Sequence, residues 1–295
     1  MGWPAIALLM LVNLLWSLNV VVSKIAVDDL GIPPIFYALA RSLLVVAALL
    51  PLLRPIPRDL ARVLAIGLAI SGGSFALLYV GLRTASPATA GVVGLAGAPL
   101  TVIFAILFLG ERVRWRRALG IALAFGGVVI AVSSPAALEA SGGAALIFAS
   151  ALVGALGSVF VKRLDLSSVR LQAWAGVASI LALLPLTLAT ESGQWRALAA
   201  APLEAAACLA FAGLVVSVGA HTAYFWLLQR YDANQVVPLT LLSPLFTVAL
   251  GAWLTDDAVG VQLIAGGMVA LAGVAIIVLR PATTFSRRWL VRGRL

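Results

Sequence analysis

Gly97-Ala-Pro-Leu-Thr-Val-Ile-Phe-Ala-Ile-Leu-Phe-Leu-Gly-Glu111 is an apolar run with a proline near its start and a carboxylate at its end. An echo lies 145 residues on, Leu242-Ser-Pro-Leu-Phe-Thr-Val-Ala-Leu-Gly-Ala-Trp-Leu-Thr-Asp256. Pro99 matches Pro244, Leu100 matches Leu245, Leu109 matches Leu254 and Glu111 matches Asp256. Two oily segments alone make a weak repeat; its weight comes from the rest of the chain doubling around them. Tyr79 and Leu82 align with Tyr224 and Leu227 at the same spacing. One inserted residue then brings Gly120 onto Gly266, and Gly127-Val-Val-Ile130 onto Gly273-Val-Ala-Ile276. Further back the match loosens, with Lys24 facing Lys162 and Leu49-Leu-Pro-Leu52 facing Leu183-Leu-Pro-Leu186.

Apolar residues make up 63% of the chain and charged ones 11%. A soluble domain carries about a quarter charged residues, so the chain belongs in a bilayer. Ten segments have the length and apolarity to cross roughly 30 Å of hydrocarbon: about 4–26, 34–53, 60–82, 87–109, 116–134, 143–162, 171–189, 204–228, 233–253 and 260–279. They are continuously apolar and do not alternate, so they read as helices. The expected fold is an all-α membrane protein of ten transmembrane helices. Residues 1–135 form one five-helix unit, 136–280 its copy, and 281–295 a basic tail. An odd number of crossings sends the copy in from the other side, so the halves are expected to be inverted repeats about an axis in the membrane plane.

The net charge of +9 would suggest a nucleic-acid partner were it not for where the charges fall. With the N-terminus in the cytoplasm, sixteen Lys and Arg fall inside and three (Lys24, Arg83, Arg196) outside, with Arg41 inside a span. That is a positive-inside bias, and it predicts cytoplasmic termini in an inner membrane. The first span reads as a helix and not a signal peptide, since it lacks a basic leader and a small-residue cleavage site. Cys208 is the only cysteine, which leaves no internal disulfide and no cysteine-based metal site. No metal and no cofactor is implied.

The ten-helix layout, Trp16-Ser-Leu-Asn19 leading to Lys24, Arg41 after a Pro-Pro pair, and the Ala98-Pro99 run closing in Gly110-Glu111 resemble the drug/metabolite transporter superfamily, EamA type. Among its members the chain looks most similar to YddG-type amino-acid exporters. The resemblance implies a five-plus-five exporter of small metabolites. Asp256-Asp257 departs from the Gly-Glu of the family pattern.

Polar groups inside a bilayer are costly unless they face a cavity or a partner. Asn13, Trp16, Ser17 and Asn19 on the first helix are candidates for lining a substrate cavity, against the alternative that Asn and Ser only join helices. Ser217, His221 and Tyr224 fall four and three apart and so share a helical face. Tyr79 and Tyr224 are equivalent in the two halves. Pro99 and Pro244 lie mid-span, and each frees a carbonyl one turn earlier, at Leu95 and Thr240. Breaks at matching depth point to a binding site, which adds Thr240, Ser243 and Gly94. Packing alone would explain Gly91, Gly94 and Gly97, and Trp226 reads as packing. Arg41, the one arginine inside a span, could bind a substrate carboxylate bidentately, but reads first as structural and long enough to snorkel outward. Lys24 reads as solvated, and Glu111 and Asp256 as structural helix ends.

The carboxylates Asp28, Asp29, Glu139, Glu191, Asp256 and Asp257 fall at one rim, and Asp59, Glu111, Asp165 and Asp232 at the other. Ion-driven carriers generally need buried carboxylates, so facilitated export without tight ion coupling is expected, with His221 the remaining proton site. A mostly apolar, aromatic cavity favours neutral or aromatic amino acids. A multidrug or nucleobase exporter stays open, as does a membrane scaffold that transports nothing. An enzyme is excluded by the lack of nucleophile, base or metal ligands grouped at one depth. The expected partners are a small-molecule substrate and the lipid bilayer, with no nucleic acid, and the chain acts as a monomer or a homodimer.

Overall fold

The computed structural model describes residues 1–110, 115–133, 140–161, 163–231 and 236–279. Glu111, Lys162 and the 281–295 tail lie outside the described residues. Among the described residues, nine helices are long and apolar enough to cross a membrane. They are α1 (Trp3–Asp29), α2 (Pro34–Leu53), α3 (Leu60–Leu82), α4 (Pro87–Leu109), α5 (Trp115–Val132), α6 (Ser141–Val161), α7 (Ser168–Thr190), α8 (Pro202–Tyr224) and, after a shorter apolar helix α9 (Leu239–Leu254), α10 (Val261–Leu279). No strand occurs among the described residues. This is a multi-pass membrane protein. Proline opens α2 and α8 at a position where its missing N–H costs nothing, and Gly110, at φ +66°, closes α4 in the left-handed region.

The ninth span departs from the expected 233–253. Val237–Leu241 is wound as a 3₁₀ segment before the α-helix of Leu242–Leu254. Pro238 and Pro244 each remove a backbone donor there. A 3₁₀ turn also rises about 2.0 Å per residue against about 1.5 Å for an α-helix, so fewer residues cover the same depth. The matching interruption lies in α4, where Leu95 and Ala96 part the helix of Pro87–Gly94 from that of Gly97–Leu109. Those two residues stand 145 before Thr240 and Leu241, as the proline spacing anticipates.

The helices meet in a repeating scheme: α2 with α7, α5 with α10, α1 with α8 and α9, and α6 with α3 and α4. The α5/α10 seam is built from glycine. A Cβ on Gly120 would meet Gly273 O and one on Gly127 would meet Gly266 O, with the reverse contacts from Gly273 and Gly266. Residue numbers rise along one helix as they fall along the other, so the two run antiparallel with backbone against backbone. Small residues are what permit such an approach in lipid, where packing carries much of helix association. Among the described residues three helices carry π-wound turns, Ile25–Asp29 at the end of α1, Ala69–Gly73 in α3 and Phe211–Ala220 in α8. The last two overlap at the same 145-residue offset.

Charges at the two ends of the bundle serve helix termini. The Glu191 carboxylate accepts from Ile35 N (2.9 Å) and Phe36 N (2.8 Å) at the start of α2. Asp257 Oδ2 accepts from Ala88 N (2.7 Å) at the start of α4. At the other end Arg170 donates to Leu52 O and Pro55 O beyond α2, and Arg163 donates to Phe108 O in the last turn of α4. Anions at N-termini and cations at C-termini complement the helix dipole and fill unpaired backbone groups. The acidic cap of α4 is Asp257, and its neighbour Asp256 sits at φ +49°. Lys24 pairs with Asp28 one turn on, at 2.7 Å.

Glu191→Gln leaves one amide oxygen where two carboxylate oxygens accept. It is expected to cost about 1–2 kcal/mol, read as a lower thermal midpoint in detergent. Glu204→Gln, on an exposed side chain in the first turn of α8, is expected to stay within about 0.5 kcal/mol.

Candidate functional site

Trp16, Arg41, Tyr37, Tyr79, Ser217, His221 and Tyr224 gather where α1, α2, α3 and α8 meet. Trp16 on α1 stacks against two rings of α8, with centroids 5.4 Å from His221 and 5.0 Å from Tyr224. His221 Nδ1 lies 2.9 Å from Val216 O. A carbonyl only accepts, so Nδ1 carries the hydrogen, and in the neutral ring Nε2 is left as an acceptor. Trp16 Nε1 is buried and has no hydrogen-bond partner among the described residues.

Arg41 joins this group from α2 and does not snorkel. Its side chain turns inward and is 3% exposed. Nε donates to Ser217 Oγ (2.8 Å) and Ala212 O (3.3 Å), and the guanidinium carbon sits 3.5 Å from the centre of the Phe75 ring on α3. Ser217 Oγ in turn donates to Ala212 O, five residues back, a reach that the π-wound turn provides. The winding corrects the α-helical spacing argument: Ser217 points at α2 while His221 and Tyr224 point at α1. Tyr79 packs edge-on against Tyr37 at 5.0 Å and lies 5.8 Å from Phe75. Its hydroxyl is buried without a partner among the described residues, whereas the Tyr37 hydroxyl donates to Cys208 O.

A cavity of about 390 Å³ lies next to this cluster, lined by Val20 of α1, Ser74 and Leu78 of α3, Gly94, Gly97 and Thr101 of α4, and the α6 face from Ile147 to Ser158. Its size falls in the range of about 300–1,000 Å³ typical of small-molecule sites. One rim is the reciprocal pair Ser74 and Ser150, whose hydroxyls are 3.1 Å apart and each reach the other's carbonyl. One turn of α3 joins the two regions, since Ser74 and Leu78 line the cavity and Phe75 and Tyr79 face Arg41 and Tyr37. A Cβ on Gly94 or Gly97 would meet nothing within 4 Å, whereas one on Gly91 would press on Thr247 and Pro244 O. Gly91 therefore serves packing, and Gly94 and Gly97 border open space. A larger cavity of about 640 Å³ lies at one end of the bundle among Arg58, Arg62, Arg163 and Arg170, away from the aromatic cluster.

Other sequence candidates sit in helix seams. Ser17 Oγ lies between Asn13 O (2.8 Å) and Ser243 O (2.7 Å), tying α1 to α9. Asn13 donates to Leu9 O, and the Oδ1 atoms of Asn13 and Asn19 are buried without partners. Pro99 is buried, Thr240 is half-buried, and Pro244 lines the α4/α9 contact through its carbonyl. Glu204 is the carboxylate that the rim assignment omits, and it is exposed in the first turn of α8. Arg41 is the residue that the sequence reading ranks as structural before substrate-binding. The available signal was a lone cation deep in a span with no carboxylate one turn away.

Residues 3–133 and again 141–279 match the model of the EamA-like transporter family. Over 281 residues the chain is 30% identical to a Salmonella typhimurium protein named "Probable amino-acid metabolite efflux pump", covering 91% of this chain and 93% of that one. The Escherichia coli protein of the same name is 29% identical over 295 residues, covering 96% and 95%. A "Probable terminal-alkyne amino-acid exporter" of Streptantibioticus cattleyicolor is 25% identical over 285 residues, covering 92% and 93%. A solved crystal structure superposes with a TM-score of 0.59 at 20% identity over 93% of this chain and 97% of the other, which is a likeness of fold.

Proposed function

The chain belongs to the EamA-like transporter family, and from that premise we propose that it exports neutral or aromatic amino acids by alternating access. The family and its similar proteins are transporters and not enzymes. The observation that carries the reading is the aromatic and polar cluster of Trp16, His221, Tyr224, Tyr79 and Arg41, one helix turn from an open cavity between α1, α3, α4 and α6. Aromatic walls with a few unpaired polar atoms suit a small amphipathic solute better than a bare ion. The names borne by the similar proteins favour amino acids.

The motion rests on a ten-helix, twofold reading in which α1–α5 and α6–α10 are inverted copies. Three observations support it: the family match falls twice on the chain, the helix breaks of α4 and α9 and the π-wound turns of α3 and α8 recur at one offset, and the α5/α10 contacts are crosswise. In that last seam residue i meets j′ and j meets i′, as a twofold requires. One half then moves against the other around a site between them. The proposed setting is an inner membrane with both termini cytoplasmic, supported by the basic bias of the loops. The helix interiors offer no carboxylate among the described residues, so export is proposed as facilitated.

The test is counterflow in proteoliposomes loaded with labelled L-phenylalanine or L-leucine, with unlabelled amino acids, nucleosides and cationic drugs as competitors. Neutral amino acids are expected to compete, and exchange is expected without an imposed proton or sodium gradient. Failure of every amino acid to compete would sink the reading. His221→Ala and Tyr79→Phe are expected to lower exchange two- to tenfold, the first by opening the ring stack and the second by removing an unpaired hydroxyl.

A further inference from the structure

A guanidinium carries five N–H donors in a fixed fork. In Arg41 the Nε–H is taken by Ser217 and Ala212, while Nη1 and Nη2 have no acceptor among the described residues. No carboxylate lies within ion-pair distance of it among the described residues. Arg41 is the eighth residue of α2, so it sits about 10 Å below the helix start. A cation at that depth normally pairs or faces a water-filled path. The Phe75 ring under its face and the Ser217 bond at its neck hold the plane still, so the fork is oriented before anything binds. A carboxylate is the group whose two oxygens match it.

We infer that Nη1 and Nη2 of Arg41 are the anchor for the substrate carboxylate, which makes the solute an α-amino acid and not an amine, a nucleobase or a cationic drug. The inference rests on the transport reading above and names the chemistry of its site. The Tyr79 hydroxyl, buried and unpartnered in the same aromatic group, is available to accept from the ammonium. Only one half carries the anchor. At the 145 offset Ser217 corresponds to Gly72, where a Cβ would lie 2.5 Å from Ser179 Oγ of α7. The second half thus closes with serine against glycine where the first holds arginine against serine. A single anchor suits a monocarboxylate.

The experiment compares inhibition of labelled L-phenylalanine counterflow by L-phenylalanine and by L-phenylalaninol, which keeps the amine and ring and lacks the carboxylate. In wild type the alcohol is expected to be at least tenfold weaker. In Arg41→Gln, folded by size-exclusion profile, phenylalanine is expected to weaken tenfold or more while the alcohol does not, so the ratio falls to within about twofold of one. Arg41→Lys keeps the charge but not the fork and is expected to give an intermediate ratio; it decides the matter if the glutamine variant does not fold. A folded Arg41→Gln or Arg41→Lys with the wild-type ratio overturns the anchor and leaves amino-acid transport standing. A wild type that exchanges no amino acid overturns the transport reading itself, and the anchor with it.

Discussion

Gly127→Val is expected to leave no folded, monodisperse protein in detergent, whereas Gly126→Ala, one residue away, is expected to behave as wild type or slightly better. A Cβ at Gly127 would be driven into Ala270 N and Gly266 O, with Ala270 Cα at 2.7 Å. Those atoms are backbone of a helix and have no rotamer to change. Overpacking in a core that can shift costs about 1–3 kcal/mol; here the helices have to separate and the whole seam goes with them. Gly126 has nothing within 4 Å of its would-be Cβ, and alanine is the better helix former by up to about 1 kcal/mol. Size-exclusion profile and thermal midpoint are the readouts. A well-folded Gly127→Val would mean that α5 and α10 are not in backbone contact.

The second large effect is expected on activity. Trp16→Ala removes the ring that touches both His221 and Tyr224. Each aromatic contact is worth about 0.5–1.5 kcal/mol beyond buried area, and loss of the indole also opens the wall against which a substrate ring would stack. Counterflow is expected to fall at least tenfold. Trp16→Phe keeps a ring and gives up only an N–H that has no protein partner, so a two- to fivefold loss is expected. The pair separates folding from function, because both variants are to be compared at equal recovery of folded protein. Wild-type exchange by a folded Trp16→Ala would remove the cluster from the transport path.

Much of the fold was legible because bilayer crossing imposes simple rules. Length and apolarity place nine of the ten expected spans to within a few residues, and prolines at one offset mark the interruptions of α4 and α9. Glycine spacing identified Gly120, Gly127, Gly266 and Gly273 as equivalent, but which of them touch is a tertiary fact. The site was less legible, for physical reasons. Hydropathy cannot tell whether a long cation turns outward to the rim or inward to a neighbour, and Arg41 turns inward. An α-helical wheel cannot anticipate a π-wound turn, so the face shared by Ser217 and His221 was drawn too simply. Sequence leaves Ser17 and Asn13 between cavity lining and helix joining, and both are fully buried in helix seams. Gly91 and Gly94 look alike in sequence, yet one is pressed against α9 and the other borders open space.

The terminal caps have a further consequence once the halves are taken to rock. Glu191 and Asp257 belong to the second half, and the α2 and α4 N-termini they hold belong to the first. Any motion that parts the halves at that rim strips two helix ends of their carboxylates. Each such cap contributes about 0.3–1 kcal/mol, and up to about 2 kcal/mol when partly buried. Two of them set a preference of about 1–4 kcal/mol, the same size as the gap between conformers in many two-state proteins. On the proposed alternating access, the caps would act as a latch that favours the conformer with this rim closed.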